Sequence, residues 1–254
     1  MSSMAEITTI LFDLGETLID FGKVNVGRMF NAGAKLAYNH LRELGQTPPP
    51  RIWYFWVNYV AIRWNILKCV ITQRDFHATD LMDSLCRFMG LKLSKDDLLR
   101  LCWFWYEPLH NFGKVEAGLP EMLRDFTHAG LKLGVVSNTF IPGPILDRHL
   151  EEVGLLEYLP FRVYSCDVGW QKPKPIIFRR ALELTGSQAD KTIFVGDREY
   201  NDIYGAKRVG MKTVRKNPDG CRRSAADFKI RKLLELREIL REFTTPQPLE
   251  ETGI

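Results

Sequence analysis

Two hydrophobic periods divide this chain. Residues 7–12 form a run of apolar and β-branched side chains with no charged residue, closed by Asp13. Without polar alternation, such a run predicts a strand buried on both faces, the kind found in the middle of a parallel sheet. From about residue 21 to 114 the apolar positions recur at intervals of three and four, with no convincing strand among them. That pattern predicts amphipathic helices over 25–44, 51–73, 75–89 and 94–106. Gly45 and Pro48-Pro49-Pro50 close the first and Gly90 the third. Ser94 with Asp97 opens the fourth in the manner of a capping box, Asp standing for the usual Glu or Gln.

Past residue 119 the period switches back and forth. Helices are predicted over 120–129, 145–153, 176–184, 203–208 and 234–243, and strands over 131–137, 162–165, 192–195, 212–215 and 228–230. Regular alternation with short Gly-bearing links (Gly130, Gly154, Gly210) predicts a parallel sheet covered by helices on both faces. The expected fold is therefore α/β, a three-layer Rossmann-like core with an inserted all-helical domain. Residues 1–20 and 115–254 would form the core, 21–114 the helical insert, and 244–254 a loose tail with Pro, Glu and Thr. No internal repeat is present.

Composition narrows this picture only modestly. The 254 residues are 45% apolar and 26% charged, ordinary for a globular protein, and the net charge is +4. Basic residues gather toward the end (Lys207, Arg208, Lys212, Arg215, Lys216, Arg222, Arg223) but are interleaved with acids and apolar residues, as on a solvated face. No nucleic-acid partner is expected. Cys69, Cys86, Cys102, Cys166 and Cys221 form no Cys-x-x-Cys pair, which argues against a disulfide framework or a zinc motif and fits a reducing cytoplasm. Residues 1–6 lack the basic start and apolar run of a signal peptide. The apolar stretch 52–71 is interrupted by Asn58, Arg63, Asn65 and Lys68, and a central Arg or Lys costs about 2.5–3.5 kcal/mol on insertion, so neither a span nor a membrane partner is expected.

Polar residues collect where the predicted strands end. Asp13 stands where open α/β sheets place their ligands, although an Asp that merely caps a turn reads the same way. The second strand ends Val136-Ser137-Asn138-Thr139, a small hydroxyl followed by backbone N–H groups that suit a phosphoryl oxygen, and also a common turn pair. Gly169-Trp170-Gln171-Lys172-Pro173-Lys174-Pro175 sets a Lys between strand and helix, with prolines stiffening the approach; taken alone it fits a solvated Lys better. Val195-Gly196-Asp197-Arg198-Glu199-Tyr200-Asn201-Asp202 carries two acids five residues apart that can point back at Asp13. Three carboxylates around one point need a cation or a Lys to offset them, and hard oxygen ligands with open positions suit Mg²⁺.

Taken in order, these four strand ends resemble the haloacid dehalogenase superfamily: Asp13 through Thr17, Ser137, Lys172 with Pro173, and Gly196-Asp197 through Asp202. Gly205-Ala206, Gly210-Met211 and Ala226-Asp227 are similar too, the likeness runs from residue 7 to about 240, and the helical block is similar to that family's C1 cap. The resemblance implies that Asp13 attacks phosphorus to form an aspartyl phosphate, which water hydrolyses. It implies Mg²⁺ held by Asp13, the Gly15 backbone carbonyl and Asp197, with Asp202 close behind. Ser137 and Lys172 would hold the phosphoryl oxygens, with Asn138 beside them, and Thr17 would support the first loop.

One departure matters. Phosphatases of that family carry Asp-x-Asp-Gly-Thr, whereas this chain has Asp13-Leu14-Gly15-Glu16-Thr17. The second Asp protonates the leaving oxygen and then activates water; Gly15 cannot, and a placed proton donor is worth about 10²–10⁴ in rate. Glu16, one position late, is the candidate substitute. The expected activity is Mg²⁺-dependent hydrolysis of a small phosphorylated metabolite by a monomer or homodimer. Two alternatives stay open: a phosphate-binding scaffold with little or no turnover, and a phosphonate-cleaving relative using Lys68 as a Schiff base, although a structural Lys68 fits its apolar helix better. Dehalogenases also lack the second Asp but need no metal, so Asp197 and Asp202 favour phosphorus chemistry. Five of the six Trp (Trp53, Trp56, Trp64, Trp103, Trp105) lie in the insert. They are expected mainly in helix–helix cores, yet consecutive aromatics cannot all face one core, so some must meet a cleft, a partner or solvent.

Overall fold

The computed structural model describes residues 6–217, 220 and 223–244. Cys221 and the tail expected beyond residue 244 lie outside the described residues. Six strands form one sheet: β1 (Thr9–Phe12), β2 (Lys132–Ser137), β3 (Phe161–Tyr164), β4 (Thr192–Gly196), β5 (Lys212–Lys216) and β6 (Phe228–Ile230). All pair in parallel, in the order β3-β2-β1-β4-β5-β6. β1 is central, and its alternation divides the core in two. Ile10 and Phe12 join the larger apolar cluster, while Leu11 joins Val136, Phe178 and Phe194 on the opposite face.

The register sets the ends of the central strands side by side. Phe12 pairs with both Val135 and Val195, so Asp13, Val136 and Gly196 stand level where the three central strands end. Between β1 and the next core element lie the four predicted helices: α1 (Val26–Glu43), α2 (Arg51–Thr72), α3 (Ala78–Phe88) and α4 (Lys95–His110). Asn25 caps α1 by accepting from the Arg28 N–H, and the Ser94 hydroxyl caps α4 by accepting from the Asp97 N–H. A Cβ on Gly33 would lie 2.9 Å from the Trp105 carbonyl oxygen, so only glycine lets α1 approach α4 this closely. α2 buries Tyr54, Asn58, Ile62 and Cys69 and turns Trp53, Trp56, Val60, Trp64, Leu67, Val70 and Ile71 to solvent. The aromatic load is thus divided: Tyr54 and Tyr106 are core, Trp103 and Trp105 are partly buried, and three Trp are exposed.

The remaining helices are α5 (Leu119–His128), α6 (Gly143–Glu152), α7 (Ser165–Val168), α8 (Pro175–Thr185), α9 (Gly205–Lys207) and α10 (Leu236–Thr244). The helix expected over 203–208 begins earlier, as a π-helical stretch Glu199–Tyr204 that runs into α9. There the Asp202 and Ile203 N–H groups both donate to the Arg198 carbonyl, widening the turn that carries Asp202 inward. Backbone pairing ties the helices α1–α4 to the sheet at two places among the described residues. Asp20 pairs with Lys114 at the base of the insert, and residues 73–78 pair with the strand-end loops through Gln73 with Gln171, Asp75 with Gly169 and Ala78 with Phe140. Among the described residues, Cys69, Cys86, Cys102 and Cys166 are free thiols, and no helix is long and apolar enough to cross a membrane.

Candidate active site

The level strand ends bring Asp13, Lys172 and Asp202 into one buried cluster. Lys172 Nζ lies 2.5 Å from Asp13 Oδ1 and 2.7 Å from Asp202 Oδ1, and donates to the Val136 carbonyl at 2.9 Å. Relative exposure is 8% for Asp13, 3% for Lys172 and 1% for Asp202, so these charges interact with little water between them. Asp197 completes the set: one carboxylate oxygen from each of Asp13, Asp197 and Asp202 lies within 4.8 Å of the others.

The chain builds this cluster from backbone constraints. Asn138 clamps the Lys172 backbone from both sides, its Oδ1 accepting from the Lys172 N–H at 2.7 Å and its Nδ2 donating to the Lys172 carbonyl at 3.0 Å. The Asn138 side chain therefore positions Lys172. The Arg198 N–H donates to Asp202 Oδ2 at 2.9 Å, which aims the other Asp202 oxygen at Lys172. Gly196 makes room, since a Cβ there would stand 2.5 Å from the Asp202 side chain. Thr17 is buried with its hydroxyl 3.5 Å from Asp13 Oδ2, and Lys216 Nζ holds the Thr17 carbonyl at 2.7 Å. Ser137 is buried at the end of β2.

Burial sets the electrostatics of the cluster. It raises the Asp13 carboxyl to about 7; Lys172 pulls it down and the Asp202 and Asp197 charges push it up. Burial works against the Lys172 ammonium, but Asp13 and Asp202 outweigh it and hold the ammonium charged above the usual lysine range. Asp197 is raised by burial and then by Asp202, and its Oδ1 is buried without a hydrogen-bond partner. Three acids against one ammonium, with one oxygen orphaned, fit a site for an additional hard cation.

Glu16 adopts φ 60°, a left-handed conformation costly for a residue with a Cβ. Its Oε1 accepts from the Phe21 N–H at 3.3 Å, and burial followed by the neighbouring Asp20 raises its carboxyl. It faces a cleft of ≈ 460 Å³ shared with Asp20, Lys114, Asp197 and Lys216. Glu16 thus stands on the Asp197 side of the cluster. Gly15 is open: a Cβ there would meet only the Phe21 ring, at 3.8 Å.

Lys68 does not serve the Schiff-base alternative. It is exposed on the outer side of α2, its ammonium 5.6 Å from the ring of Trp64, itself exposed. A Schiff-base lysine needs a walled pocket beside the reacting carbon, and the phosphonate-cleaving alternative loses its candidate.

Two residues that hold the site carry no sequence signal. Arg215 donates to the Asp197 carbonyl at 3.2 Å while paired with Glu199 at 2.8 Å. Asp75, in the insert, accepts from Ser165 Oγ and from Gln171 Nε2 at 3.0 Å, just before Lys172. Position in a basic-looking strand and at a helix start gave no hint of either role.

Comparison with known proteins bears on the family and the fold. The family model of haloacid dehalogenase-like hydrolases matches residues 75–216. The glyceraldehyde 3-phosphate phosphatase of Pyrococcus furiosus is 40% identical over 271 residues, an alignment covering 98% of this chain and all of that protein. The enzyme of the same name from Pyrococcus abyssi is 36% identical over 100 residues, 38% of this chain and 40% of that one. Among solved structures, a HAD phosphatase from Thermococcus onnurineus superposes with a TM-score of 0.58 at 26% identity, covering 92% of this chain and 98% of its own. With Ser137, Lys172, Asp197 and Asp202 inside the matched region and a near full-length relative at this identity, the chain belongs to the haloacid dehalogenase-like hydrolase family.

Proposed function

We propose that the protein is a phosphohydrolase that cleaves a small phosphorylated metabolite through an aspartyl phosphate on Asp13, with Mg²⁺ as cofactor. The observation that carries this reading is the convergence of Asp13, Asp197 and Asp202 on one point, with Lys172 buried among them. An Asp13 oxygen forms the new bond to phosphorus as the bond to the leaving oxygen breaks. Water then attacks the same phosphorus, releasing inorganic phosphate and restoring the carboxylate. Lys172, Ser137 and the Asn138 backbone N–H hold the phosphoryl oxygens, opposing charge as it builds. Asp13, Asp197 and the Gly15 carbonyl would hold Mg²⁺, with Asp202 behind them; bound there, the ion supplies positive charge to the phosphoryl group.

The leaving oxygen needs a proton. Glu16, raised toward the neutral form, is the available acid, or water serves more slowly. The named relatives act on a triose phosphate, which makes a short phosphorylated carbon chain the first substrate class to test. The insert α1–α4 serves as the cap that bounds the substrate's organic part. Gly15 favours one second reading, a phosphate-binding scaffold with residual turnover.

A panel of phosphate esters and acyl phosphates, assayed with and without Mg²⁺, separates the two. Mg²⁺-dependent phosphate release from at least one small ester is expected. Release from none of them, with inorganic phosphate still binding, would favour the scaffold.

A further inference from the structure

We propose that His77, Cys166 and Asp167 form a second cation site, apart from the carboxylates around Asp13, which takes a borderline-soft divalent metal such as Zn²⁺ and ties the helical insert to the sheet domain. His77 immediately precedes α3 in the insert; Cys166 and Asp167 lie in α7, directly after β3. His77 Nε2 is 3.3 Å from Asp167 Oδ1, and Cys166 Sγ is 3.8 Å from the same oxygen. All three ligand atoms lie within 4.8 Å of one another. A tetrahedral ion with bonds of about 2.0–2.3 Å sets neighbouring ligands roughly 3.3–3.8 Å apart. The two pairs that share Asp167 stand at those spacings, and His77 and Cys166 lie within 4.8 Å of each other.

The donor set separates this cluster from the first one. One sulfur, one imidazole nitrogen and one carboxylate oxygen suit Zn²⁺ or Co²⁺, whereas the all-oxygen cluster at Asp13 suits Mg²⁺. The ring of His77 is also braced: its Nδ1 lies 2.7 Å from Thr79 Oγ1, leaving Nε2 for the site. A threonine hydroxyl donates or accepts, so the imidazole proton can rest on Nδ1 while Nε2 ligates.

Charge points the same way. The carboxylates of Asp167 and Asp75 lie close enough to Cys166 to act on its charge, and both would attract a dication. Binding would release the thiol proton to solvent as the sulfur–metal bond forms. Half of the Asp167 side chain is exposed, which leaves an entry path and a position for water. The site also adjoins the machinery already described. Two residues before His77, Asp75 accepts from Ser165 and Gln171, so a metal here would fix the insert next to the loop that presents Lys172.

The test uses the full chain, stripped by a chelator, supplied with excess Mg²⁺ to fill the oxygen cluster, and titrated with Co²⁺. One equivalent of Co²⁺ is expected to raise a thiolate-to-cobalt charge-transfer band that Zn²⁺ abolishes. Cys166→Ser should remove the band, and Thr79→Val should weaken Co²⁺ binding roughly 10- to 100-fold. Absence of the band, or a band that survives Cys166→Ser, would overturn the assignment. Because Cys166 is packed, Asp167→Asn at an exposed position gives an independent reading; an unchanged Co²⁺ affinity there would also overturn it.

Discussion

Lys172 Nζ is 2.5 Å from Asp13 Oδ1 and 2.7 Å from Asp202 Oδ1, and it arrives from a loop 159 residues beyond Asp13. The ammonium is what allows these buried carboxylates to coexist. Replacing it with Met should therefore cost stability, on the order of 3–5 kcal/mol when a buried pair loses one partner. Mg²⁺ should recover part of that loss, because a dication offsets the same charges. Thermal unfolding with and without Mg²⁺ reads this directly: the Mg²⁺-induced rise in Tm should be larger for Lys172→Met than for the native chain, while phosphate release collapses.

Gly15→Asp should restore the missing proton donor. The Cβ meets only the Phe21 ring at 3.8 Å, so the fold should accept it. A gain of up to about 10²–10⁴ in kcat on alkyl phosphates is expected, and a smaller gain on esters whose leaving groups need no proton. Glu16→Gln should lower the native rate and leave the Gly15→Asp variant nearly unaffected. Equal losses in both backgrounds would assign Glu16 a structural role in its left-handed turn.

Gly196→Ala should damage the cluster from behind. Its methyl would fall 2.5 Å from the Asp202 side chain, driving Asp202 away from Lys172. Phosphate release should fall by at least about tenfold, since misplacement by 1 Å costs roughly 10². Isothermal titration of Mg²⁺ should show weaker binding in the same variant.

A stability change with pH is expected from the joint between insert and core. His149 is buried, its Nδ1 2.8 Å from the Tyr106 hydroxyl, and burial followed by His110 depresses it to about 4. The unfolded chain binds this proton at the usual value near 6.5 and the folded chain does not, so the His149 contribution to folding stability falls as pH drops from about 6.5 toward 4. Equilibrium urea unfolding at pH 7 and pH 5 measures it by difference: the raised Asp13 carboxyl acts in the opposite direction but is common to both proteins, so on going to pH 5 His149→Gln should gain stability relative to the native chain.

Much of this was legible in the sequence because each motif sits at a strand end. Buried parallel strands write themselves as apolar runs, so where they stop locates Asp13, Ser137 and Asp197 on one rim. Lys172 was harder, since a Lys among prolines looks solvated until the Asn138 clamp is seen. α7 has four residues, too few for any period, and the π-turn at Asp202 arises from a tertiary demand on one carboxylate. The three exposed Trp on α2 show the limit of periodicity, which finds two apolar faces on a helix without saying which one is covered.

On the proposed covalent route, position 15 offers no carboxylate to activate water and only Glu16 remains, so the aspartyl phosphate should be consumed slowly and accumulate. Acid-quenched mass spectrometry of the enzyme during turnover of a good substrate tests this most directly. One phosphoryl adduct is expected on the peptide containing Asp13, absent in Asp13→Asn, which should not turn over. Steady phosphate release by Asp13→Asn, or an adduct on another residue, would contradict the covalent route through Asp13.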